Sequence, residues 1–255
     1  TPDTQYSLRI RSICSNERGE WSNSIEARTM CMPREPIFVE QFATGGIPTC
    51  WISKQIVGSD NTGKYNYGDA AWYTSSSKTH SAGAALAARR SYAGIRTLLT
   101  TQAIEIDRAS KYDMRFWFYR ESMTGSDSII VWVNNRPDLI GATCLDTLCN
   151  NINNADKVTS SGWYKYEYNI PLQGTTYILF EAVAGYVKIM YIDDLEVFLA
   201  PTCRKIKNIK WIGETTHSGT LGWTKAVDES QWIIDYTINN NHYTDTVDQP
   251  QYEIN

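Results

Sequence analysis

The chain has 255 residues, a formal net charge of −4, 42% hydrophobic and 20% charged residues, which suits a packed globular protein of one large β domain or two smaller ones. With no basic stripe and no acidic run, the mild charge speaks against a nucleic-acid partner and against a solvated tail. No apolar run approaches the ~18 to 20 residues of a membrane helix, so no membrane insertion is expected in this segment.

No signal peptide opens the chain, and Thr1-Pro2-Asp3 reads as a cut inside a longer protein. Aromatic usage is skewed, with Trp 9 and Tyr 16 against Phe 6. Tyr and Trp favour strands and half-exposed faces. With abundant Thr, Ser and Asn, they give the composition of a secreted all-β protein. The six cysteines, Cys14, Cys31, Cys50, Cys144, Cys149 and Cys203, are even in number and form no CxxC pair of the zinc or redox kind. Disulfides are the expectation, and with them an oxidising compartment. The alternative is six buried free thiols, which cysteine tolerates.

Residues 6–12, YSLRIRS, alternate, with Tyr6, Leu8 and Ile10 on one face. A polar turn around Gly19 follows, and residues 21–29 return as a second strand. Such a hairpin is marginal alone in water and needs further strands. Pro33 and Pro36 make a stiff connector. Residues 38–42 read as a strand, broken by Gly45-Gly46 and Pro48, and residues 60–68 as turn chemistry. Residues 81–88, SAGAALAA, carry a conflict. Alanine favours helix, while Gly83, Gly94 and the neighbouring segments favour strand, which is the expectation. Residues 112–119, 128–133, 163–170, 175–183 and 186–197 are strand-like. Residues 134–157 read as one long polar loop, of a length that is usually functional or mobile. Seven or more strands with short turns and no helical period predict an all-β sandwich or jelly roll.

TPDTQYSLRIRSIC (1–14) and EWSNSIEARTMC (20–31) resemble strands F and G of a fibronectin type III domain, with Tyr6 at the tyrosine-corner position. Residues 201–238 resemble strands A, B and C of the same fold, Trp223 standing for the core Trp of strand B, Trp232 and Tyr236 for strand C. Between them the chain resembles the MAM-like jelly rolls called cleaved-adhesin or choice-of-anchor J domains. That resemblance rests on FVEQFATGGIPTCW (38–51), HSAG (80–83), RFWFYRESMTGSDSIIVWV (115–133), Gly162-Trp163 before YKYEYNI, and YIDDLEV (191–197). It covers about two-thirds of the chain. The resemblances imply three segments: 1–31, the end of one fibronectin type III-like domain; 32–199, a jelly roll; and 200–255, the start of another fibronectin type III-like domain. They also imply a setting, the large secreted or cell-surface bacterial proteins that include the haemagglutinin regions of gingipain proteases.

Sites follow from the resemblance too. In such jelly rolls, acids of the first and last strands lie close and can hold Ca²⁺. Glu40, Asp193 and Asp194 stand at those places, with Ser81 and the Gly83 backbone as further oxygen donors. Where the family often has a second acid after the first-strand Phe, this chain has Ala43. The other reading is that Glu40 and Asp193 cap turns or pair with Arg. The MAM pattern implies a Cys31–Cys50 bond. Cys144 and Cys149, five apart in one loop, are expected as a small clamp. Cys14 and Cys203 hold the same pole of two different fibronectin-like domains, so each is expected to find its partner in a neighbouring stretch or copy.

Catalysis has little support. His80 and Ser81, read as neighbours in a strand, point to opposite faces. His217 falls in a turn and His242 in an Asn-rich loop, and no phosphate loop, HExxH or GxSxG is present. Tyr65, Tyr67, Trp72 and Tyr73, beside a polar turn, are the expected ligand contacts. Tyr164, Tyr166 and Tyr168 share a face that is either core or contact. The expected function is a non-enzymatic adhesion module that meets a host or matrix protein or a glycan. Two alternatives stand beside it: head-to-tail self-association in which half-domains of neighbouring copies complete each other, and carbohydrate binding in support of an enzyme.

Overall fold

The computed structural model describes residues 1–58, 68, 71–89, 92–121, 126–151, 158, 160–185, 188–203, 206–225 and 229–254. The regular elements among them are all β-strands. The chain divides into two compact units, Thr1–Leu199 and Ala200–Asn255.

The first unit opens with an antiparallel hairpin of β1 (Gln5–Leu8) and β4 (Ile25–Arg28), with a short pair, β2 (Ile13–Cys14) and β3 (Glu17–Arg18), between them. The register sets Tyr6 opposite Ala27 and Leu8 opposite Ile25, so the apolar residues share a face, as alternation predicts. That face is bare: Leu8 is 49% and Ile25 67% exposed.

Residues 38–199 build a sandwich of two antiparallel sheets. The first has the order β13–β12–β15–β9–β6, with β10 also paired to β15. Its strands are β6 (Ile52–Val57), β9 (Arg96–Thr100), β10 (Ile104–Ile106), β12 (Ser128–Asn134), β13 (Thr143–Cys149) and β15 (Gly174–Val183). The second has the order β14–β11–β16–β8–β7, with β5 also paired to β16. Its strands are β5 (Phe38–Glu40), β7 (Trp72–Ser75), β8 (Ala85–Ala88), β11 (Tyr112–Arg120), β14 (Gly162–Ile170) and β16 (Met190–Leu199).

The core follows the two-residue period of a strand. On β11, Met114, Phe116 and Phe118 are buried, while Arg115, Trp117 and Tyr119 face outward and are half-buried. Opposite them stand Ile129, Val131 and Val133 of β12 and Ile178 and Phe180 of β15. The Phe116 and Phe180 rings meet edge-on at 5.2 Å across the sandwich. Each such side chain contributes roughly 1.5–3 kcal/mol by leaving water. At the open side, the Tyr168 hydroxyl on β14 donates to Asp146 of β13 at 2.8 Å, and Arg120 Nε donates to the Tyr166 hydroxyl at 2.7 Å.

Two segments carry the local lessons. The alanine run forms β8, paired on both sides by β7 and β16, so sheet pairing overrides helix propensity as expected. The long loop expected over 134–157 is instead interrupted by β13, which pairs along β12; its residues 152–157 lie outside the described set. On β16, one extra residue between the partners of Arg115 and Trp117 makes a bulge, and Asp194 there takes φ +49°.

In the second unit, β17 (Lys207–Glu214), β18 (Gly219–Thr224) and β21 (Gln251–Ile254) form one sheet in the order β17–β18–β21. β19 (Trp232–Ile238) and β20 (Asn241–Val247) form a separate pair. Trp223 and Trp232 pack edge-on at 5.7 Å. Among the described residues of this unit, Trp232 is the only buried large apolar side chain.

Candidate functional site

The outer face of the second sheet carries the densest chemistry. Register sets Trp163 of β14 beside Tyr119 of β11, and Tyr191 of β16 and Tyr73 of β7 on either side of Ala87 of β8. The Trp163 and Tyr119 rings are edge-on at 5.4 Å, and the Tyr119 and Tyr191 rings edge-on at 6.5 Å. An aromatic row therefore crosses all five strands, with Ala87 as its one small member. Tyr191 is buried, while Trp163, Tyr119 and Tyr73 are half-buried.

The segment between β7 and β8 lies against this row. The Lys78 ammonium sits 3.9 Å from the Tyr119 ring centre and 3.2 Å from the Glu121 carboxylate. Burial works against the Lys78 charge, but hydrogen bonds with Tyr119 and Glu121 outweigh it, so Lys78 titrates above its ordinary value. Burial raises the Tyr73 and Tyr191 hydroxyls, whose anions it disfavours. The His80 ring stacks on Trp117 at 3.8 Å, and its Nδ1 lies 2.5 Å from the Asp194 carboxylate. His80 and Ser81 belong to this connecting segment, not to a strand as expected.

Asp193 anchors the segment from below. It is wholly buried; one oxygen accepts the backbone N–H of His80 at 2.8 Å and of Ser81 at 3.2 Å, the other the N–H of Asp194 at 2.8 Å. Burial nonetheless raises its pKa above the ordinary carboxylate value. Gly83 closes the turn at φ +104°; a Cβ there would lie 2.7 Å from the Ala43 backbone, so only glycine fits.

The expected metal residues thus fall in one region, Glu40 on β5, Ser81 before β8, and Asp193 and Asp194 on β16. Their carboxylates serve nearby groups. A Glu40 oxygen accepts the Phe42 N–H at 2.9 Å, and Asp194 takes His80 and the Gln41 amide at 3.3 Å. The Ser81 hydroxyl is buried with no hydrogen-bond partner. Hard oxygens and an orphaned hydroxyl fit Ca²⁺ in kind. Among the described residues, the only three-donor cluster within 4.8 Å is Asp3 with Cys31 and Cys50, whose sulfurs are bonded to each other.

Cys31 and Cys50 form a disulfide, as the resemblance implied, with Cα atoms 5.9 Å apart. The Cys144–Cys149 clamp does not form. Both lie on β13, where five extended residues span ~16 Å, beyond the ~7 Å that a disulfide bridges. Cys14 and Cys203 are exposed thiols.

Of the expected ligand contacts, Tyr65 and Tyr67 lie outside the described residues. Trp72 is corrected to core: it is 1% exposed, and its backbone N–H donates to the Ser53 hydroxyl at 2.9 Å. Strand parity turns Trp72 inward and Tyr73 outward, where the Arg89 guanidinium covers the ring at 4.6 Å. Tyr166 and Tyr168 pack against the core, and burial drives the Tyr168 hydroxyl far above its ordinary value. His242 lies on β20, not in a loop, 3.0 Å from Asp235. His217 is in a turn, its Nδ1 2.8 Å from the Thr216 hydroxyl. The row of Trp163, Tyr119 and Tyr191 is not legible in sequence; the alternation of Arg115, Trp117 and Tyr119 marks only Tyr119 as outward.

No family model and no curated protein matches the chain. Among solved structures it is similar to the K1 cleaved adhesin domain of Lys-gingipain from Porphyromonas gingivalis, at 16% identity over 64% of this chain and 98% of that one, with a TM-score of 0.49. The K3 cleaved adhesin domain of the same protein is 18% identical over 63% of this chain and 96% of that one, with a TM-score of 0.46. TmCBM61, solved with β-1,4-galactotriose, is 16% identical over 63% of this chain and 94% of that one, with a TM-score of 0.41.

Proposed function

We propose that the chain is a non-enzymatic binding module of a secreted or cell-surface protein, and that its contact surface is the outer face of the second sheet. The observation that carries this reading is the row of Trp163, Tyr119, Tyr191 and Tyr73 on a face that a solvated antiparallel sheet would fill with polar residues. Tyr and Trp are enriched at contact surfaces. Strands hold the rings in place, so little order is lost on binding. The Cys31–Cys50 bond favours an oxidising compartment. A structural Ca²⁺ held by Glu40, Asp193, Asp194 and Ser81 would tie β5 to β16 and stiffen the segment beneath the row.

The test is surface plasmon resonance of the whole chain against a panel of matrix proteins and glycans. Saturable binding that is lost in Trp163→Ala and Tyr119→Ala is expected. Failure of the chain to bind any panel member overturns the reading.

A second reading is self-association. It is favoured by the bare apolar face of the β1–β4 hairpin and by the single large apolar side chain buried among the described residues of the second unit.

A further inference from the structure

We infer that a cavity at the base of the β1–β4 hairpin binds an uncharged aromatic small molecule. The site is separate from the contact face proposed above. Its lining comes from the hairpin, the segment before β6, the β9–β10 connection and β15, and no described lining residue belongs to the second sheet.

The cavity holds about 470 Å³, inside the range of roughly 300–1,000 Å³ usual for small-ligand sites. Its walls are distant in sequence and are tied together. The Cys31–Cys50 disulfide joins two of them, and the Gln102 amide donates to the Met32 carbonyl at 2.7 Å. The Arg34 N–H donates to the Ala103 carbonyl at 2.9 Å, and its carbonyl accepts the Glu105 N–H at 3.0 Å. A cavity held this way loses little order on binding.

The chemistry of the walls selects the ligand. Trp51, Ala103 and Tyr177, at 8%, 3% and 7% exposed, form the inner wall, and Met30 and Ile52, at 51% and 42%, the outer part. Met30, Cys31 and Cys50 set sulfur beside this apolar surface. A thioether packs favourably against an aromatic ring, and Trp and Tyr rings make offset or edge-on contacts with another ring. Among the described lining residues only Asp3 and Arg28 are charged. They pair with each other at 2.7 Å, and their side chains are 37% and 62% exposed, which places them at the mouth. A charged ligand would shed its water against the inner wall and meet no opposite charge there.

The same wall carries polar groups with nothing to bond. A buried Tyr hydroxyl or Trp N–H usually has a hydrogen-bond partner. Neither the Tyr177 hydroxyl nor the Trp51 indole N–H has one among the described residues, and burial alone raises the Tyr177 hydroxyl above its ordinary value. A neutral acceptor on the ligand, a hydroxyl or carbonyl oxygen, suits these donors.

The experiment is titration calorimetry of the full chain with three probes: naphthol, a neutral aromatic; naphthalenesulfonate, its anionic relative; and octanol, a neutral linear chain. Variants are Tyr177→Phe, which keeps the ring and removes the hydroxyl, and Thr49→Trp, which fills the cavity from an exposed lining position. Ile140→Ala, at a 70% exposed residue outside the lining, is the control. Melting temperatures near wild type certify that the variants fold. The expected result is saturable binding of naphthol, about fivefold weaker in Tyr177→Phe, lost in Thr49→Trp and unchanged in Ile140→Ala. Tighter binding of naphthalenesulfonate overturns the uncharged class, and equal or tighter binding of octanol overturns the aromatic class. Naphthol binding that survives Thr49→Trp, or no binding of any probe, overturns the site. None of these outcomes bears on the outer face of the second sheet, whose own test stands apart.

Discussion

The carboxylate of Asp193, on the last strand of the sandwich, accepts the backbone N–H of His80 at 2.8 Å, across 113 residues of sequence. With the Ser81 N–H bond to the same oxygen, the His80–Asp194 contact and the Lys78–Glu121 pair, it fastens the segment carrying Lys78 and His80 onto the outer face. Asp193→Ala takes the acceptor from the N–H groups of His80, Ser81 and Asp194, whose bonds are part-buried. Each unsatisfied buried group costs about 1–3 kcal/mol, so a loss of at least about 2 kcal/mol is expected in urea denaturation. A change under about 0.5 kcal/mol would mean that the segment holds itself.

Asp107 gives a pH prediction. Its carboxylate accepts the Tyr112 hydroxyl at 2.7 Å and the N–H groups of Ala109 and Ser110 at 2.8 and 2.7 Å. The Tyr112 bond first, and the backbone bonds with it, outweigh desolvation and hold the pKa below its ordinary value. A depressed carboxylate contributes stability that is present above the unfolded pKa and lost as pH falls through the folded one. The melting-temperature gap between wild type and Asp107→Asn is therefore expected to be open at neutral pH and to close as pH drops below the usual carboxylate range. A gap that widens on acidification would contradict this assignment.

The disulfide gives a third. Cys31 and Cys50 close a loop of 19 residues of separation. The chain-entropy relation gives such a loop a contribution of about 3 kcal/mol. Cys31→Ser with Cys50→Ser is expected to lower the urea midpoint accordingly. A non-reducing peptide map should show Cys31 joined to Cys50 and Cys144 not joined to Cys149. A Cys144–Cys149 peptide would mean that β13 is not extended.

Where one principle governs a stretch, the sequence carries the structure plainly. Alternation over residues 114–119 marks both the buried Met114, Phe116 and Phe118 and the outward Trp117 and Tyr119. Where two principles compete, it carries less. The alanines of β8 prefer helix alone, and only pairing on both sides makes them strand. β13 hides in a polar stretch because its one buried apolar residue, Leu148, follows a TCLDT run in which only Leu145 is apolar and half-buried against the core. The Trp72 error is one of parity: a single-residue shift exchanges the faces of a strand, and composition cannot tell Trp72 from Tyr73. The aromatic row was out of reach for another reason. Trp163, Tyr119 and Tyr191 come from three strands far apart in sequence, and only register brings them together.

Calcium is the fourth prediction. If Glu40, Asp193, Asp194 and the orphaned Ser81 hydroxyl hold Ca²⁺, native-state binding stabilises by linkage, about 2.7 kcal/mol at a hundredfold excess over the dissociation constant. Added calcium is expected to raise the melting temperature by several degrees, chelator to reverse it, and Glu40→Gln to blunt the response. Equal melting temperatures with calcium and with chelator would leave these carboxylates as the N–H acceptors already described.

The last prediction concerns edges. Among the described residues, β19 pairs only with β20 and β1 only with β4, so both pairs offer unpaired backbone along an edge. Each is also under-covered: Leu8 and Ile25 stand exposed on the hairpin, and among the described residues the second unit buries one large apolar side chain where a small stable β domain needs many. Adding the hairpin of a second copy beside β19 would pair both edges and cover both apolar faces. Because donor and acceptor are different surfaces, such contacts need not close and can run on as a chain. Light scattering of the whole chain, with and without reductant, tests this. A mass that rises with concentration and falls in Leu8→Asp/Ile25→Asp supports it, and a reductant-sensitive part would place Cys14 and Cys203 at the joint. A concentration-independent monomer would reject the joint, leaving ligand binding by the outer sheet as the function to pursue.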